Sequence, residues 1–177
     1  MGTGEQDRIV PTTSGAALEG RAKVELPDGA GHLIFWSILL AGLLADLWTK
    51  QAVFAWMQDQ AGQSVEIING ILSFRLALNA GAAFGILSGR LPFLAGVSVV
   101  ALLAILGVFF LATGRQRLMQ VSLGLFGAGV CGNLWDRLFN GGHVRDFIDV
   151  VYWPGRHWHT FNVADALLCA AVGLLVI

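Results

Sequence analysis

Charged side chains are scarce in this chain. Only 13% of its 177 residues are Asp, Glu, Lys or Arg, about half the roughly 25% that a soluble domain carries. That deficit excludes an ordinary water-facing surface and is what contact with lipid requires. Net charge is −1, and no basic stripe with interleaved aromatics appears, which excludes a nucleic-acid partner. Cysteine is nearly absent: Cys131 and Cys169 each lie in an apolar segment, with no C-x-x-C or Cys/His ligand spacing. They read as small buried side chains rather than as a redox pair. There is no H-E-x-x-H, and His157 and His159 merely flank Trp158 in a polar stretch, so a zinc peptidase is excluded. No cofactor or metal is expected, and no internal repeat is evident.

What the chain has instead is long apolar runs: 55% of it is hydrophobic, with a mean hydropathy of +0.67. A transmembrane helix needs about 20 mostly apolar residues. Four stretches qualify, over residues 33–54, 91–113, 118–138 and 161–177. The fourth is the shortest, has no polar tail, and reads as cut short or little tilted. Residues 1–32 are polar, without apolar periodicity, and read as a flexible tail. They lack the basic start and apolar core of a secretory signal. The remainder, 33–177, reads as one all-α membrane domain, a bundle of four spans. Between the first two spans, Val65–Ile68 and Ile71–Leu76 flank Asn69-Gly70, which predicts a small β-hairpin near the interface.

With four spans both termini lie on one side. Spans one and three then end, and spans two and four begin, on the other. Asp46 and Lys50 fall late in span one, and Asn79 precedes span two. Asn133, Asp136 and Arg137 close span three, while Asn162 and Asp165 open span four. All converge on one membrane face, which scattered structural polar residues have no reason to do. Orientation follows from basic loops, which favour the cytoplasm. Arg115 and Arg117 crowd the short loop between spans two and three, with Arg21 and Lys23 before span one. Arg75, Arg90, Arg145 and Arg156 lie on the opposite face, so density rather than count places both termini in the cytoplasm.

Each polar cluster admits a bland and a functional reading. Asp46 and Lys50, four apart on one helix face, form either an interfacial ion pair with Lys50 snorkelling or a support for the polar face. Asn79-Ala80-Gly81 opens a small-residue run that serves helix packing or holds an extended peptide. Arg137 binds headgroups or braces a carboxylate. Asp146 and Asp165 flank one loop, 139–160, at the edge of hydrocarbon, where an ionisable group is costly unless it is used. They are either capped, water-exposed carboxylates or a catalytic dyad, and Asp149 is equally eligible as the exposed member of its pair. Gly141, Gly142 and Gly155 with Trp153 and Trp158 suggest an interfacial lid for that loop.

Five motifs stand in order: Asp46-x-x-x-Lys50, Asn79-x-Gly81-Ala82-Ala83-Phe84-Gly85, Gly132-Asn133-Leu134-x-Asp136-Arg137, Gly142-x-Val144-x-Asp146-Phe147-Ile148-Asp149 and Phe161-Asn162-x-Ala164-Asp165. In these the chain resembles the bacterial lipoprotein (type II) signal peptidases, over about residues 33–177. The resemblance implies a monomeric inner-membrane aspartyl endopeptidase. It would cut diacylglyceryl-modified prolipoproteins just before the lipidated cysteine, at an extracytoplasmic active site, and would be a target of globomycin. It puts catalysis on Asp146 and Asp165, with Asp46, Lys50, Asn79, Gly81, Asn133, Arg137, Asn162 and Ala164 in supporting or binding positions. Arg145 departs from the family's usual apolar residue, and the polar start is long. Two other readings compete: a proton-coupled carrier using Asp46 and Asp165, and a lipid-binding scaffold using Arg137 and Lys50. The first predicts polar groups spread through the bilayer depth, and the second gives no reason for two aspartates around one loop.

Overall fold

The computed structural model describes residues 26–60, 64–81, 87–153 and 155–176. Most of the polar start therefore lies outside the described residues. Four helices appear: α1 (Gly29–Met57), α2 (Leu91–Ala112), α3 (Arg117–Phe139) and α4 (Val163–Val176). The first helix begins four residues before the expected span, because Asp28 caps it. The Asp28 carboxylate accepts from the Gly31 N–H at 2.8 Å and from both terminal nitrogens of Arg117 at 2.7 Å. That bond ties the start of α1 to the start of α3.

Three helices, α1, α2 and α3, are long and apolar enough to cross a membrane. The fourth, with 14 residues, measures about 21 Å at 1.5 Å per residue. That falls short of a hydrocarbon core of about 30 Å, so the expected fourth span is observed only as a shorter apolar helix.

The third helix is the hub, packing against α1, α2 and α4. Its glycines make this possible. A Cβ on Gly129 would lie 2.7 Å from the Ala164 carbonyl oxygen, and one on Gly132 would overlap the Asp46 carboxylate. Small residues let helix backbones approach closely where lipid offers no hydrophobic drive for association. Toward the other end, Phe35 and Phe109 stack at 4.1 Å and are buried with Ile105 and Leu123.

The expected hairpin is present as β1 (Ser64–Ile68) and β2 (Leu72–Asn79), but it is half of a larger sheet. Residues 139–160 are not a loop. They hold β3 (Val144–Trp153) and the short β4 (Arg156–His157), giving an antiparallel sheet in the order β1-β2-β3-β4, with α2 and α3 inserted between β2 and β3. The run Val144–Trp153 is rich in β-branched and aromatic residues, the composition that a pleated, half-buried surface favours. The three glycines of this segment sit at its turns with positive φ, Gly141 and Gly142 before β3 and Gly155 before β4. Asn79 is the last residue of β2 rather than a loop residue.

Candidate active site

Strand register explains the first contact. Ala77 faces Asp146 and Asn79 faces Val144, so Asn79 and Asp146 are diagonal neighbours on one face, within side-chain reach. The Asn79 amide donates to Asp146 Oδ2 at 3.1 Å. Its own Oδ1 accepts from the Gly81 N–H at 2.9 Å, which fixes which end of the amide faces the carboxylate.

A second asparagine works the same way from the other side. Phe161 bridges to Ile148 of β3 through backbone hydrogen bonds of 2.8 and 3.0 Å. This brings the N-cap of α4 against the strand. Asn162 Oδ1 accepts from the Asp165 N–H at 3.0 Å, and Asp165 Oδ2 accepts from the Asn162 N–H at 3.2 Å. This reciprocal pair is a capping box. It leaves the Asn162 amide free to donate to Asp146 Oδ1 at 2.6 Å and to Asn133 Oδ1 at 3.1 Å. Asn133 donates in turn to Asp165 Oδ1 at 2.9 Å. The two aspartates are thus held by one chain of amides, with Asp165 in the first turn of α4, where the helix dipole favours an anion.

Beneath them lies a buried ionic network. Lys50 and Asp46 are fully buried and joined at 2.7 Å. Lys50 also donates to Asn133 Oδ1 at 3.1 Å and lies 3.5 Å from Asp136. The snorkelling alternative for Lys50 is therefore overturned: three acceptors inside the protein outcompete the headgroups. Asp46 spends its other oxygen on the Ala164 N–H at 2.8 Å, so α1 supplies a tertiary cap to α4. Arg145 closes the series, meeting Asp136 through Nη2 at 2.7 Å and through its backbone N–H at 2.9 Å. Its side chain thus turns away from Asp146 despite adjacency in sequence.

Arg137 reaches over to the Gly81 carbonyl at 2.9 Å, and its Nε is buried without a partner among the described residues. The rest of the small-residue run, 82–85, lies outside them. Asp149 is buried too, bonded to His157 Nδ1 at 2.7 Å, so the alternative that made Asp149 the exposed member of its pair falls away. Asp146 and Asp165 line one cavity of about 880 Å³ with Asn133 and Arg137, between α2, α3, α4 and the sheet, and its surface is mostly apolar. Burial foremost, then the neighbouring Asp165 charge, push the Asp146 carboxyl up from 3.8 to about 6. The amides of Asn79 and Asn162 act the other way. Among the described residues no His/Cys/Asp/Glu group has the makings of a metal site.

Residues 38–177 match the family model described as signal peptidase (SPase) II. The chain belongs to the signal peptidase II family. It is 42% identical over 149 residues to the lipoprotein signal peptidase of Geobacter sulfurreducens, covering 82% of this chain and 91% of that one. With the lipoprotein signal peptidase of Rhodopirellula baltica it shares 33% over 183 residues, 94% of this chain and 78% of the other. A solved bacterial membrane enzyme superposes with a TM-score of 0.74 at 31% identity, over 88% of this chain and 90% of its own. Membership in the signal peptidase II family makes the chain a bacterial membrane peptidase concerned with lipoprotein processing.

The ten residues that the sequence put in catalytic, supporting or binding positions form one network. Asp46, Lys50, Asn79, Gly81, Asn133, Arg137, Asp146, Asn162, Ala164 and Asp165 are linked by hydrogen bonds, directly or through one another. Sequence reading missed the pairing of Arg145 with Asp136 and of His157 with Asp149. Recognising 144–153 as a strand was the signal for both, since alternation sends Arg145 and Asp146 to opposite faces.

Proposed function

We propose that the chain is an aspartyl endopeptidase that removes the signal peptide from diacylglyceryl-modified prolipoproteins, cutting before the lipidated cysteine. The observation that carries this is the placement of Asp146 and Asp165 on the wall of one apolar cavity, held by a shared set of amides. Two such carboxyls do not both ionise cheaply, so the pair retains one proton. The ionised member takes a proton from water, whose oxygen adds to the scissile carbonyl, while the protonated member donates to the carbonyl oxygen. The tetrahedral intermediate collapses as one of its hydroxyls returns a proton to the ionised carboxylate and the peptide nitrogen takes the proton of the other carboxyl and departs as an amine, which regenerates the singly protonated pair. The roles of base and acid belong to the dyad as a unit.

The rest of the site serves this chemistry. Asn133, Asn162 and Asn79 orient the carboxylates, and the unpartnered Arg137 Nε offers a donor to substrate. Lys50 and Asp46, through Ala164, hold the N-terminus of α4 in place. Helices α2 and α4 each pack on α3 and hardly touch one another. The gap between them admits an apolar signal helix from the bilayer, with the diacylglyceryl group left among lipid. In this reading α4 acts as the fourth span. The termini are cytoplasmic, the site faces outward, the enzyme works as a monomer, and globomycin competes for the cavity.

The test is cleavage of a diacylglyceryl-modified prolipoprotein by the purified protein in detergent, beside Asp146→Asn and Asp165→Asn. Globomycin-sensitive cleavage by the wild type, with both variants folded and at least 10³-fold slower, is expected. Near-normal turnover by Asp165→Asn would remove the dyad.

A further inference from the structure

A second cavity, of about 440 Å³, adjoins the first, and the two share Asn79, Asp146 and the Trp158–Thr160 stretch. Asp146 therefore stands on a common wall. The two spaces differ in chemistry. The surface of the larger is mostly apolar, whereas the smaller is about half polar and is lined by β2, β3 and the 157–160 segment, with Arg75, Ser88, Asp149 and His157. A substrate cut beside Asp146 has the same two-sided character: a lipidated, apolar side and a polar polypeptide after the cysteine.

Charge in the smaller cavity is uneven. The Asp149 carboxylate is engaged by His157. Arg75 is the one lysine or arginine among the described lining residues, and its side chain has no hydrogen-bond or ion-pair partner among the described residues. Its placement is not a matter of regular pleating. Phe74 faces Ile148 and Ala77 faces Asp146, so β2 takes one more residue than β3 across this stretch, a bulge that holds Arg75 and Leu76. Bulges beside active sites re-aim side chains that a regular strand would point elsewhere.

We propose that the polar cavity seats the residues immediately following the lipidated cysteine, and that Arg75 selects an acidic side chain among them. This specificity subsite rests on the peptidase reading of Asp146. It gives the two cavities complementary work, one for the departing signal side and one for the retained lipoprotein side.

The experiment uses the full-length protein and diacylglyceryl-modified prolipoprotein peptides that differ only by Asp, Asn or Lys at the second, third or fourth position, counting the cysteine as first. For the wild type, kcat/KM should favour Asp over Lys by about fivefold at one of these positions, the scale of one partly screened charge pair. Added salt should shrink the ratio. Arg75→Gln should bring it within about twofold, and Arg75→Glu should reverse it. A flat wild-type ratio at all three positions, or a preference that survives Arg75→Gln, overturns the subsite alone. Failure of the wild type to cleave any peptide overturns the peptidase reading and the subsite with it.

Discussion

At the scale of single residues, the site is ordered by amides more than by charges. Asn79 and Asn162 each tie their carbonyl end to a local turn and present their nitrogen to Asp146. An amide so anchored has one orientation, and the carboxylate has little freedom left. The raised Asp146 carboxyl gives this a measurable consequence. Its folded value, about 6, exceeds the ordinary 3.8. The stability it contributes is therefore complete below the ordinary value and is lost as pH rises through the folded one. A change of this size corresponds to at most about 3 kcal/mol. Unfolding in detergent should show the wild type losing stability between about pH 4 and pH 7.5. Asp146→Asn should remove that part of the slope. Equal slopes in the two proteins would show that the carboxyl is not its source. On the proposed mechanism, in which the pair must keep one proton, kcat/KM should fall through the same window.

These residues differ in how legible they were. The sorting of Asp46, Lys50, Asn133, Asn162 and Asp165 to one end of the apolar runs was plain in the sequence, because span boundaries are set by composition. Which of them touch was not. The bond from Asp46 to the Ala164 N–H joins residues 118 apart, and only the angle at which α1 crosses α4 creates it.

At the scale of elements, α3 carries the packing through its glycines. Gly129→Ala should cost about 1–3 kcal/mol, the range for overpacking, because the new methyl meets the Ala164 backbone and Leu168. Since Ala164 follows the N-cap of α4, turnover should drop with stability. Gly107→Ala on α2 is the control, as nothing lies within 4 Å of its added Cβ. It should be neutral or slightly stabilising. Thermal melts of both variants decide the point; equal loss would mean that helix propensity, not the α3–α4 contact, governs. Helices were legible because a membrane span is long and uniform. Strand β3 was not, because short apolar runs are ambiguous without their partner. Its hydrogen bonds go to β2, about seventy residues earlier, to the short β4 and to Phe161.

At the scale of the whole molecule, α1, α2 and α4 pack on α3, while α2 and α4 hardly touch one another. Ala101 of α2 and Cys169 of α4 both line the larger cavity. With Cys131 replaced by Ala, a cleavable thiol cross-linker joining Ala101→Cys to Cys169 should abolish cleavage of a full signal-peptide substrate. Releasing the linker should restore it. Undiminished turnover while cross-linked would show that the signal helix enters by another route.

The chain's scarcity of charge and its apolar runs determined by themselves that it is a membrane protein, and the placement of its few polar residues determined which face they share. Five short motifs in order were enough to point to the family. The tertiary structure decided what composition cannot encode. It turned an expected loop into β3, put Asp146 and Arg145 on opposite sides of that strand, and buried Lys50 among three acceptors. Hydropathy depends on each residue singly, so it is readable along a line. A hydrogen-bond network depends on distances between elements far apart in the chain, and packing alone sets those.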